Sequence, residues 1–110
     1  MNRQRKSKLR DADFTTVVML RLYIAGDAPN SVQAIANLEA ICQEYLQGGH
    51  KLEVIDVLKH PRRAMADGVL VTPSLAKLSP NPVANIIGNL SDKSKVLLAL
   101  GLARKSRSVQ

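Results

Sequence analysis

The feature that most constrains this chain is a strand-like run, a turn and an amphipathic helix laid end to end over residues 15–47. TTVVMLRLYI (15–24) is rich in β-branched and apolar residues and ends at Gly26, which predicts a buried strand. Arg21 is its lone charge, expected on a strand face that reaches water. Beyond Pro29, the apolar residues Val32, Ile35, Leu38, Ile41, Cys42, Tyr45 and Leu46 recur three and four apart, one helical stripe facing a core. Asn30 and Ser31 bring oxygen side chains to the helix start, where a cap is needed, and Gly48-Gly49 brings the stop. LEVIDVL (52–58) alternates as a second strand. With a helix as crossover the two strands run parallel and the connection is right-handed. The first half therefore reads as a βαβ unit of an α/β domain.

After the short helical turn PRRAMAD, closed by Gly68, the signals conflict. GVLVTPSLAKL fits a strand, a bend at Thr72-Pro73 and another short strand. Residues before proline are pushed to extended conformations, so Thr72 and Ser79 are poor helix positions. In SPNPVANIIGNL, the spacing of Val83, Ile86, Ile87 and Leu90 suits a helix, yet the same residues can run as an extended edge segment. Ser91 is the expected cap of a last helix, DKSKVLLALGLA, with Asp92 in its first turn as the helix dipole prefers.

A strand–turn–helix junction is a usual location for catalytic or phosphate-binding residues. Here it is YIAGDAPNS (23–31), with no cysteine, no histidine and one glycine. The arrangement resembles the thioredoxin fold, in which that turn holds a CxxC pair and a cis-proline faces it. Thiol–disulfide exchange needs an activated thiolate at the helix start and a resolving thiol. The single cysteine, Cys42, falls on the apolar stripe instead. His50 and His60 stand beside lysines without a carboxylate at ligand spacing, and read as surface residues. Ser31 is explained by capping, Asp27 and Asp56 are too sparse a pair to define acid–base chemistry, and no glycine-rich phosphate loop is present. The expectation is a protein that is not an enzyme, with no cofactor and no metal.

Charge narrows the partners. The chain of 110 residues has a formal net charge of +7 from 16 bases and 9 acids, but eight of the bases lie in residues 1–10 and 104–110, where there is no acid. The span between carries one more acid than base. The basic character belongs to two tails, 1–13 and 104–110, expected to be disordered around one folded domain over 14–103. A nucleic-acid-binding domain carries its cations on a folded face, so only non-specific tail contacts with nucleic acid are expected. No apolar run approaches the ~20 residues of a membrane helix, and the expected location is the cytoplasm.

Three segments, LRLYIAGDAPNSVQAIANL, LEVIDVLKHPRRA and TPSLAKLSPNPVANIIGNLSDKSKVLLAL, resemble the KaiB family of circadian clock proteins, in order and with matching spacing. The resemblance implies a thioredoxin-like single domain whose resting dimers or tetramers have the order βαββααβ. It also implies a fold switch of the C-terminal half to a thioredoxin-like arrangement that binds KaiC, a hexameric P-loop ATPase. A KaiA-like protein and histidine kinases are the further partners implied. On this resemblance Arg21, Lys59 and Lys77 match basic partner-binding positions. Gly88 matches a switch-motif glycine, Asn89 stands in place of its aspartate, and Ser91 and Asp92 match the continuation of that motif. Pro73 belongs to the same switching segment. Gln33 stands where an arginine is common, and Ala84-Asn85 replace a basic pair. The function expected is a non-catalytic clock or signalling adaptor that modulates the phosphorylation cycle of a KaiC-type ATPase. The alternative is a homo-oligomeric protein-binding module in stress adaptation, with no clock role.

Overall fold

The computed structural model describes residues 17–102. The two basic tails lie outside these residues. Seven elements succeed one another: β1 (Val18–Ile24), α1 (Pro29–Tyr45), β2 (His50–Asp56), α2 (Pro61–Ala66), β3 (Ser74–Ser79), β4 (Ala84–Ile87) and α3 (Lys93–Ala99). They build one four-stranded sheet in the order β2-β1-β3-β4. β1 and β2 are parallel, from Val18 opposite His50 to Ile24 opposite Asp56, as a helical crossover requires. β3 runs antiparallel to β1, with Leu22 opposite Leu75, and β4 antiparallel to β3, with Leu75 opposite Ile86.

Alternation along β1 decides which side of the sheet each helix covers. Leu20, Leu22 and Ile24 point to one face and pack with Ala34, Leu38, Ile41 and Cys42 of α1 and with Val96 and Leu100 at α3. Of the helical stripe expected from the sequence, Leu38, Ile41, Cys42 and Leu46 are buried, whereas Val32 is 52% and Tyr45 36% exposed, and Ser31 and Ala34 take inner positions instead. Tyr23 and Ile55 lie on the other face, where they are buried with Ala64 of the short α2. No described helix is long and apolar enough to cross a membrane.

The thioredoxin-like expectation holds, but the order βαβαββα differs from the resting order βαββααβ that the family resemblance implied. Two local choices account for the difference. Residues 69–72 form no strand, and Leu70 is 94% exposed there, so the chain first re-enters the sheet at Ser74. Residues 84–87 then take period two rather than 3.6: Ile86 is buried and Ile87 is 64% exposed, as a strand with helices over one face of its sheet demands.

Both helix starts also differ from expectation. α1 begins at Pro29 behind Ala28, with no side-chain cap. Proline suits this position because its missing N–H would be unpaired anyway. Ser31 is 1% exposed, and its Oγ accepts instead from the Ala25 N–H at 3.0 Å, closing the turn from inside. At α3 the cap is Asp92 rather than Ser91, its Oδ1 accepting from the Lys95 N–H at 3.2 Å.

Candidate partner-binding site

The turn that leads β1 into α1 is filled by structural hydrogen bonds. The Asp56 carboxylate, at the end of β2, accepts from the N–H groups of Gly26 and Leu58, each at 3.0 Å. Those bonds, Leu58 first, hold Asp56 below the usual carboxylate range against the opposing effect of its partial burial. Asp27 is exposed and does not share this role. Cys42 is 3% exposed in the core, and burial, with the Glu39 charge in second place, pushes its thiol up, away from the thiolate that redox exchange needs. Among the described residues there is no group of three His, Cys, Asp or Glu side chains placed to hold a metal.

The three basic positions singled out in the sequence occupy different environments. Arg21 lies on the α2 side of the sheet, its Nε 2.9 Å from Glu53 Oε1 and its Nη1 3.7 Å from Asp67 Oδ2. Arg63 of α2 meets the same two acids, donating to both Glu53 oxygens at 3.0 and 3.1 Å. Arg63 first, then Arg21, depress the Glu53 carboxyl. Tyr23 completes the group by donating its hydroxyl to Asp67 Oδ2 at 2.7 Å, and burial raises its phenol. Arg21 is therefore compensated, and its network clamps α2 onto β1 and β2.

Lys59 is exposed in the turn between β2 and α2, where its N–H donates to the Asp56 carbonyl at 3.0 Å. Lys77 is 4% exposed on β3, opposite Leu20 and on the α1 and α3 side of the sheet. In this packing Lys77 does not share a surface with Arg21 and Lys59.

The four positions to which the resemblance gave a switching role, Pro73, Gly88, Asn89 and Asp92, are brought much closer together. Pro73 is buried ahead of β3, behind a cis peptide bond with Thr72, and its carbonyl accepts from the Gly88 N–H at 2.9 Å. Gly88 has φ +118, Asn89 follows it, and Asp92 caps α3. Asn89 reaches α1: its Nδ2 donates to Gln33 Oε1 at 2.9 Å, and its carbonyl accepts from Asn37 Nδ2 at 2.8 Å. Gln33 and Asn37 are the residues the sequence reading missed as contacts.

Around α2 lies an exposed apolar rim. Val57, Pro61, Met65, Val69, Leu70 and Val71 line a shallow groove of about 300 Å³. Met65 is 75% and Val71 49% exposed. Lys59 and Arg62 flank it, and among the described residues neither forms an ion pair.

Sheet order, helix placement and a cysteine-free turn define a thioredoxin-like domain without the thiol pair of that fold's oxidoreductases. Solved structures agree on the fold: the N-terminal domain of Synechococcus elongatus SasA superposes with a TM-score of 0.66 at 19% identity, over 96% of this chain and 95% of that one. Chloroplastic thioredoxin z gives a TM-score of 0.64 at 16% identity, over 88% and 90%. Within that class the chain belongs to the KaiB family, whose domain matches residues 21–102. It is 52% identical over 89 residues to the circadian clock oscillator protein KaiB of Microcystis aeruginosa, covering 81% of this chain and 86% of the relative. The protein of that name from Synechococcus elongatus is 52% identical over 84 residues, covering 76% and 82%. Membership in this clock-protein family fits a clock role.

Proposed function

We propose that this chain is a non-catalytic adaptor that binds a KaiC-type hexameric ATPase and modulates its phosphorylation cycle in the cytoplasm. Membership in a family of clock oscillator proteins supports the reading. The observation that carries it furthest is the apolar rim of Met65, Leu70 and Val71 beside the cations Lys59 and Arg62, which form no ion pair among the described residues. An apolar patch rimmed by charge is the composition of a protein-docking surface, and its cations select an acidic face. Arg21 serves this surface indirectly, by holding the Glu53–Arg63 pair that seats α2. The C-terminal half exchanges between the packing described here and the family's resting order, so that competence to bind depends on which is populated. KaiA-like proteins and histidine kinases are the further partners of the same assembly.

Mixing the protein with its cognate KaiC-type ATPase and following complex mass over hours tests the reading. A complex is expected, weakened at least about tenfold by Leu70→Asp combined with Lys59→Glu, in keeping with loss of one apolar and one charged contact. Absence of a complex at high concentration would sink the proposal.

A second reading rests on β4. From Leu78 to Ser91 the chain has no charged residue, and Val83 and Ile87 are 62% and 64% exposed on and beside an edge strand. Edge strands without charge invite pairing with another chain. This favours a homo-oligomeric module in signalling or stress adaptation, and sedimentation as a function of concentration separates the two.

A further inference from the structure

Among the described residues, the segment from Gly88 to Ser91 combines an unfavourable backbone conformation with several side-chain bonds that hold it. Gly88 has φ +118, and Leu90 has φ +63, a left-handed conformation that leucine seldom adopts. Leu90 is nonetheless 5% exposed, its side chain in the main core. A residue held in such a region persists only where its surroundings over-determine it. Here they do. Besides its two bonds to α1, Asn89 accepts from the Ser91 N–H through Oδ1 at 3.0 Å. One turn further on, Lys93 reaches Glu44 of α1 at 3.1 Å and lies 5.2 Å from the centre of the Tyr45 ring.

The chemistry at the Gln33–Asn89 contact is informative. Each residue departs singly from the family pattern, an arginine being common at one position and an aspartate usual at the other. The structure places the two side chains 2.9 Å apart. Both side chains are neutral amides, so the contact is a hydrogen bond between uncharged groups.

We propose that Gln33 and Asn37 are positioning residues: they form a neutral latch on the Gly88–Ser91 segment that sets how much of the chain keeps its C-terminal half in this packing. The inference rests on the two-arrangement reading of the proposed function. Opening the latch frees a segment whose backbone strain favours leaving, so α1, which takes no part in the rearranging half, controls it. Because the latch is uncharged, it holds equally at low and high ionic strength, whereas an arginine–aspartate pair at the surface is screened by salt.

Amide hydrogen exchange of the full chain, alone in solution, tests this without an ATPase, so a failure to bind a ring would not bear on the latch. Gln33→Ala and Asn37→Ala are expected to speed exchange about three- to tenfold in residues 84–100, the loss of one hydrogen bond each, while β1, α1 and β2 keep their protection. The double variant Gln33→Arg with Asn89→Asp is expected to restore protection at low salt and lose part of it at high salt, unlike the natural chain. Gln33→Asn, one methylene shorter, serves as a milder variant if alanine impairs folding. Uniform acceleration through the whole domain, unchanged exchange in 84–100, or a double variant indifferent to salt would each overturn the proposal.

Discussion

The Asp56 carboxylate accepts from the Gly26 N–H at 3.0 Å, so the last residue of β2 closes the turn by which β1 enters α1. The bond spans two neighbouring parallel strands at the point where relatives by fold carry redox cysteines. Here the Asp56 side chain is spent on holding the backbone.

Asp56→Asn should therefore lower the unfolding midpoint near neutral pH. Because the folded carboxyl is held below its ordinary range, its contribution is complete above the unfolded-state pKa and fades as pH falls through the folded one. Stability of the natural chain should fall on acidification through that window, and the variant should show a flatter profile. Denaturant unfolding at a series of acidic pH values measures both.

Tyr23→Phe removes the hydroxyl that donates to Asp67 at 2.7 Å and leaves the ring in place. A part-buried bond to a charged acceptor contributes about 1 kcal/mol, so thermal unfolding should shift downward by a few degrees. Exchange protection should drop chiefly in α2, the element that Asp67 closes. Unchanged protection of α2 would mean that the Arg21–Glu53–Arg63 pairs seat the helix alone.

The family resemblance gave Gly88 a place in a switch motif, and the arrangement described here is the thioredoxin-like one. In the structure it is this arrangement that needs φ +118, and an added Cβ meets nothing within 4 Å. Gly88→Ala thus acts through backbone strain alone and should destabilise this packing by about 1 kcal/mol. Protection of residues 84–100 and binding to an ATPase ring should decline together.

Lys77→Met tests the buried lysine. Its position opposite Leu20, 4% exposed and in no ion pair among the described residues, carries a desolvation cost that methionine of similar length avoids. The variant should unfold at higher denaturant, by roughly 1 kcal/mol in stability. Ring binding that is unchanged or tighter in Lys77→Met would mark Lys77 as an internal constraint, and weaker binding would mark it as a contact.

How much of the fold could be read from the chain depends on the range of the forces involved. β1, α1 and β2 were legible because their signals are local: β-branched runs, a stripe at helical spacing, and a glycine pair. Val83, Ile86, Ile87 and Leu90 were not, because their spacing satisfies two periods and pairing with Ser74–Lys77 makes the choice. Ser31 carries the composition of a cap, but a bond back to Ala25 claims its oxygen. Arg21 announces itself as a charge in a strand, whereas Glu53, which compensates it, lies 32 residues away. Lys77 looks like surface in any composition table, and the register that turns it toward the core is set by its neighbour strand.

β1 is the one strand that serves both halves of the molecule, holding β2 on one side and β3 on the other. Whatever lifts β3 away strips one flank of β1 of its ladder, from Met19 to Tyr23, and leaves hydrogen-bonding groups of the central strand bare. Bare flanks recruit replacements. On the proposed two-arrangement reading, rearrangement inside one copy and adhesion between copies would be a single event seen from two sides, and its extent would change with how crowded the molecules are.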